Sequence, residues 1–181
     1  MDSAFHTSLI IVAPELLLAA SAMALMVFGA FVGDKSSGLI GGLSVLALLG
    51  AIFLLVAPGA GRGEAFGGSF ITDDFAVFVK VAVYGAAALA LLMAQGFLKS
   101  EKIHRFEYYG LALLSAAGMG VMVSARDLIV LYMGLETQSL ALYVLAAFKR
   151  DDAKASEAGL KYFMLGALSS GLLLFGASLV Y

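Results

Sequence analysis

The chain has 181 residues, 62% of them hydrophobic and only 13% charged, whereas an ordinary soluble domain carries about 25% charged residues. Its mean hydropathy is +1.00 and its formal net charge is −2, so a soluble globular domain, a disordered tail and a nucleic-acid binder all fit poorly. The absence of Cys excludes disulfides, thiolate metal sites and Cys nucleophiles, and two His, His6 and His104, leave little for a multi-His metal or haem site.

What remains is an all-α polytopic membrane protein with room for about six spans of ~20 residues. Six apolar stretches follow along the chain: Ser8–Val32, Gly38–Ala57, Phe75–Leu98, Tyr108–Ser124, Leu128–Phe148 and Ala155–Tyr181. Alternating segments of ~10 residues, the mark of outer-membrane strands, are not visible. The first stretch lacks a basic n-region and is too long for a signal-peptide core, so it is read as a retained helix. Within it, Pro14 and Glu15 suit a helix N-terminus, because the early turns tolerate a missing N–H and favour an acid. Gly29/Gly33 and Gly38/Gly42 have G-x-x-x-G spacing, a weak packing cue. Pro58–Asp74, with its glycines and no apolar run, reads as a surface connector.

The connectors carry the orientation. One side holds the N-terminus, Pro58–Asp74 and Ala125–Asp127, with Arg62 and Arg126 as its basic residues. The other holds Lys35, Lys99, Lys102, Arg105, Lys149, Arg150 and Lys154. Basic residues concentrate on the cytoplasmic side of membrane proteins, so the N-terminus and, with six spans, Tyr181 face away from the cytoplasm.

Ionisable groups inside a bilayer are costly, and each needs a partner or a purpose. Glu136 lies eight residues from Leu128 and twelve from Phe148, which places it ~12 Å and ~18 Å from the span's two ends. Its short carboxylate cannot reach either interface. Tyr132, Glu136, Ser139 and Tyr143 are spaced 4, 3 and 4 apart and share one helix face, where hydroxyls and water can form a file beside the carboxylate. A proton relay is favoured over a protonated residue that glues helices together. Lys161 lies ~9 Å into the sixth stretch, where it either snorkels to the interface or lines a proton route. Lys80 is read as a surface-reaching lysine neutralised by Asp73 and Asp74, one to two turns away.

Two segments are recognisable. Asp127–Tyr143 (DLIVLYMGLETQSLALY) resembles the fifth helix of the antiporter-like subunits of respiratory complex I, NADH:quinone oxidoreductase. Glu157–Gly176 (EAGLKYFMLGALSSGLLLFG) is similar to the sixth helix of the subunit N family, the bacterial counterparts of mitochondrial subunit 2. Ile71–Lys80 (ITDDFAVFVK) and the Pro14-Glu15 start look like the same family, and the likeness runs over the whole chain.

The resemblance implies a proton-pumping membrane-arm subunit in the bacterial inner membrane, N-terminus periplasmic, with other membrane-arm subunits, antiporter-like ones among them, as its partners. Glu136 matches the family's fifth-helix glutamate, which pairs with a lysine on a broken seventh helix. Lys161 matches a sixth-helix lysine near the cytoplasmic proton route. The resemblance also implies that this chain binds no cofactor and that NAD, quinone, FMN and iron–sulfur clusters belong to partner subunits. Family members have about fourteen helices in two inverted repeats, so the chain is read as an N-terminal part of that fold, truncated relative to the family. A subunit of a multi-subunit sodium/proton antiporter and a membrane scaffold without an ion path are the alternatives.

The orientation is open to a direct check. In intact cells, cysteine introduced as Lys102→Cys should be protected from an impermeant thiol reagent, whereas Gly61→Cys should react. The reverse pattern contradicts the topology.

Overall fold

Proline 14 interrupts the first apolar stretch. It has no N–H to donate, and its ring crowds the preceding turn, so the stretch divides at Val12 into α1 (Asp2–Ile11) and α2 (Ala13–Val32). The chain path nevertheless carries across the break, because the Val12 N–H bonds the Ser8 carbonyl (3.2 Å) and the Leu16 N–H bonds the Val12 carbonyl (3.0 Å). The computed structural model describes residues 2–33, 36–57, 61–101 and 103–180, with side chains from Phe5 onward. Lys35, Pro58, Lys102 and Tyr181, used above in reading the connectors, lie outside the described residues.

The remaining helices are α3 (Ser37–Val56), α4 (Asp74–Ser100), α5 (Glu107–Val123), α6 (Leu128–Ala146) and α7 (Ala153–Val180). By length and composition α2, α3, α4, α6 and α7 can each cross a membrane, while α5 has 17 residues. Local chemistry sets two of the starts. The Asp73 carboxylate accepts from the Ala76 N–H at 2.7 Å, and the Asp127 carboxylate accepts from the Ile129 N–H at 2.7 Å. Each satisfies one of the donors that a helix N-terminus leaves open.

Helices α2 to α5 meet around Leu18, Ala22, Ile40, Leu48, Tyr84, Leu91, Tyr109 and Leu113. Large apolar side chains such as Phe31, Phe53, Phe78 and Met93 point outward, as suits a bundle whose surroundings are acyl chains instead of water. Helix α7 packs against α6 and leaves most of its apolar side chains exposed.

The segment read as a plain surface connector is structured instead. Gly63–Ala65 (β1) and Phe70–Thr72 (β2) pair antiparallel, with Ala65 opposite Phe70. A 3-10 turn over Phe66–Gly68 joins them, and Gly67 (φ 68°) and Gly68 (φ 91°) supply the left-handed backbone it needs. The hairpin folds over one end of the bundle. Ile71 N–H bonds the Ser124 carbonyl (2.8 Å) and Arg126 N–H bonds the Ser69 carbonyl (3.0 Å), which ties it to the α5–α6 turn. Its Ala65 and Phe70 form a small apolar cluster with Ile11, flanked by Val12, Val121 and Val130. Strands of three residues are too short to show an alternating pattern against a glycine-rich background.

The close helix approaches also fall elsewhere than at Gly38 and Gly42, around which a Cβ would meet nothing within 4 Å. Gly118 and Gly134 face each other where α5 crosses α6: a Cβ on Gly118 would lie 2.6 Å from the Gln138 nitrogen and 2.7 Å from the Gly134 carbonyl oxygen. Backbone atoms cannot yield as a flexible side chain can. Gly134→Val should therefore cost roughly 1–3 kcal/mol of overpacking and lower the amount of folded protein recovered from membranes. Gly38→Ala should leave that amount unchanged.

Candidate functional site

Helix α4 buries Ala76, Val77, Lys80, Tyr84, Ala88, Leu91 and Leu98, a face with helical period, and Lys80 lies in phase with it. This overturns the surface-reaching reading of Lys80. Its side chain is fully buried at 0% exposure, and its Nζ sits 2.5 Å from Oε1 of Glu15, itself 3% exposed. The two acids assigned to it do other work: Asp73 caps α4, and Asp74 pairs with Arg62 at the surface. Glu15, which suits a helix start on local grounds, is in fact the buried counter-ion.

Three helices and the hairpin build the surroundings of this pair. The Tyr84 hydroxyl donates to Glu15 Oε1 at 3.2 Å. Gly120 on α5 makes room for both groups, since a Cβ there would lie 3.0 Å from Tyr84 Cζ and 3.1 Å from Glu15 Oε1. The Phe70 ring of the hairpin covers Lys80, its centroid 4.8 Å from Nζ, within range of a cation–π attraction. The ammonium and carboxylate are close, but the contact is off hydrogen-bond direction. Lys80 Nζ and Glu15 Oε2 both lack a hydrogen-bond partner. Each charge taken from water costs several kcal/mol, and the opposite charge is the main offset, helped by the Tyr84 hydroxyl on Glu15 and the Phe70 ring on Lys80.

A second constellation lies on α6. Glu136 is half-buried, with Oε1 enclosed and without a hydrogen-bond partner. Ser139 and Tyr143 line a cavity of about 210 Å³ between α6 and α7, together with Gly166, Ser169 and Ser170. This volume admits several waters. The rings of Tyr162 and Phe163 stand edge-on to Tyr143, with centroids at 5.0 and 5.7 Å. Of the four-residue stripe, the structure thus brings Ser139 and Tyr143 together at one cavity. Tyr132 and Glu136, both half-buried, do not line it. Lys161 is exposed and pairs with Glu157 one turn earlier, at 2.5 Å. It forms no ion pair with Glu136 among the described residues.

Tyr84, Gly120 and Phe70 were not visible as site residues in the sequence. The available signal was the four-residue spacing of Lys80, Tyr84 and Ala88, which puts a charge on an otherwise apolar helix face.

A polytopic membrane helix bundle with ionisable groups held inside it is the class this fold and chemistry define. The family described as "NADH:quinone oxidoreductase/Mrp antiporter, TM" matches residues 125–181, the segment of Glu136 and Lys161. The chain resembles NADH-quinone oxidoreductase subunit N. It is 55% identical over 173 residues to that protein from Maricaulis maris, covering 93% of this chain and 35% of the relative. The Parvibaculum lavamentivorans subunit N is 53% identical over 170 residues, with the same coverage. A chain of respiratory complex I from Thermus thermophilus superimposes with a TM-score of 0.74 at 31% identity, over 93% of this chain and 36% of that one. The chain thus spans about a third of the length of the relatives it matches.

The buried pair predicts non-additive mutants. Lys80→Met alone leaves Glu15 buried without its counter-ion and should destabilise the protein by about 3–5 kcal/mol. Adding Glu15→Gln should recover most of that loss, because neutral residues of similar volume remove both desolvation costs. Thermal unfolding of the purified protein in detergent checks the cycle. Equal losses for the single and double variants would contradict a paired site.

Proposed function

We propose that this chain is part of a proton-translocating membrane-arm subunit of NADH:quinone oxidoreductase, coupling electron transfer from NADH to quinone to proton movement through a buried Glu–Lys–water relay. The observation that carries the reading is Glu136, a carboxylate deep in a spanning helix with an enclosed oxygen that no hydrogen bond satisfies. The same helix lies in the segment matched by the transporter family, and the similarity to subunit N extends across 93% of the chain. The parent complex would supply the redox chemistry: NAD, flavin, iron–sulfur clusters and quinone belong to partner subunits in this reading, alongside other antiporter-like subunits of the membrane arm. The location is the bacterial inner membrane, with the N-terminus on the periplasmic side, as the basic residues of the connectors favour.

The physics of such a relay is general. A carboxylate inside an apolar bundle stays ionised when a cation is near and takes up a proton when that cation withdraws. A conformational or electric change that alters the separation can therefore load and release one proton. Tyr132, Ser139, Tyr143 and the water admitted beside Ser139 and Tyr143 provide hydroxyls along which the proton can pass. Lys161, exposed and held by Glu157, contributes at the entrance to this path and not as the direct partner of Glu136. A second reading, sodium/proton exchange, is favoured by one observation, that the matching family description includes the Mrp antiporters. The subunit N relatives support the first.

Glu136→Gln keeps the shape of the side chain and cannot titrate. In membranes containing equal amounts of assembled complex, it should lower NADH–quinone turnover and proton pumping several-fold. Glu136→Asp should retain part of both. Lys161→Ala should lower pumping less than Glu136→Gln does. Wild-type pumping by Glu136→Gln would return the residue to a packing role, and proton flux that follows sodium instead of NADH oxidation would favour the antiporter reading.

A further inference from the structure

The relay on α6 leaves the Glu15–Lys80 pair unused. An isolated buried ion pair is a poor stabilising device, because apolar residues of similar volume usually do as well or better. An ionisable group inside a membrane segment is accordingly a functional candidate by default. Here the two are joined by three further features. Both Glu15 Oε2 and Lys80 Nζ retain unused hydrogen-bonding capacity. Gly120 keeps a space into which the Tyr84 hydroxyl reaches Glu15. The pair is not open to solvent at the hairpin end: Phe70, 3% exposed, lies over the ammonium.

We infer that Glu15, Lys80 and Tyr84 form a second proton-exchanging site, separate from Glu136, with Phe70 of the hairpin as its seal. The inference rests on the proton-translocation reading above. The step is one protonation: the Glu15 carboxylate accepts one proton, forming an O–H bond and becoming a neutral acid, and later returns that proton to water. Lys80 favours the ionised carboxylate and so sets when the proton leaves. Tyr84 donates to Oε1, which leaves Oε2 as the oxygen that takes the proton. Phe70 blocks continuous water between this site and the hairpin end, so that protons exchange only when the hairpin shifts. The hairpin is tied to the α5–α6 turn by the Ile71 and Arg126 N–H bonds, the Arg126–Glu64 ion pair and the Thr72–Ser124 hydroxyl contact, and it rests on a small apolar cluster, so a shift of that turn carries Phe70 with it.

The test uses the complete protein in its assembled complex, in sealed membrane vesicles, and reads protons moved per NADH oxidised. Glu15→Gln/Lys80→Met removes both charges together. A merely structural pair predicts normal assembly and a wild-type ratio. The proposal predicts normal assembly with a clearly lowered ratio, and a wild-type ratio overturns it. If the double variant does not assemble, Tyr84→Phe, which deletes only one hydroxyl, serves instead: a lowered ratio supports the site and an unchanged one overturns it. Phe70→Ala should in addition raise passive proton leak several-fold in vesicles without NADH, and unchanged leak overturns the sealing role. Glu136→Gln measured in parallel separates the two claims. Should it lower the ratio while the Glu15/Lys80 and Tyr84 variants do not, the second site fails alone. Should it leave the ratio unchanged, the translocation reading itself fails.

Discussion

The contact between Glu15 and Lys80 organises one end of this bundle. Neither charge can reach water, and in an apolar interior an unpaired charge is far more costly than a paired one. The pair therefore links α2 to α4 through side chains, the two helices packing mainly on α3 and α5. Tyr84 and Gly120 then fix α5 against both, since the hydroxyl reaches the carboxylate only where α5 offers no side chain. The hairpin follows from the same constraint. Its Phe70 presents a ring face to the ammonium, and its backbone is tied to the turn at which α5 passes into α6.

From that turn the geometry passes to the second carboxylate. Helix α6 starts at the Asp127 cap and crosses α5 where Gly118 and Gly134 bring the two backbones together. This close crossing sets the rotation of α6, and with it the direction of Glu136, two residues beyond Gly134. On the flank toward α7, small residues again decide the outcome. Gly166 leaves room beneath Tyr143, and Ser169 and Ser170 share with Ser139 and Tyr143 a cavity of about 210 Å³. The buried carboxylate of Glu15 thus sits where Gly120 admits it, while ion pairs such as Arg126–Glu64 and Lys149–Glu101 stay at the surface.

Much of this was legible in the sequence, for reasons of scale. A spanning helix is a signal of ~20 apolar residues, so the apolar stretches and the all-α membrane class stand out from hydropathy alone. The depth of Glu136 follows from counting residues at a fixed rise. The buried pair was not legible in the same way. Whether Lys80 reaches the surface or points inward depends on the rotation of α4, and its nearest acids in sequence, Asp73 and Asp74, are not its nearest acid in space. Glu15 is 65 residues away along the chain. The hairpin was hidden because each strand has three residues. The G-x-x-x-G spacings misled at Gly38 and Gly42 because spacing reports which residues share a face, not which face meets a neighbour.

On the relay reading, carboxylates enclosed in this bundle, Glu15 and Glu136, change protonation during turnover of the complex. Infrared difference spectra of the assembled complex, recorded between its oxidised and NADH-reduced states, test it most directly. Protonated carboxyl groups absorb apart from carboxylates and amides, so the difference spectrum should contain a carboxylic-acid band that disappears in Glu15→Gln/Lys80→Met and a second that disappears in Glu136→Gln. Difference spectra identical to wild type in that region for both variants would contradict the account.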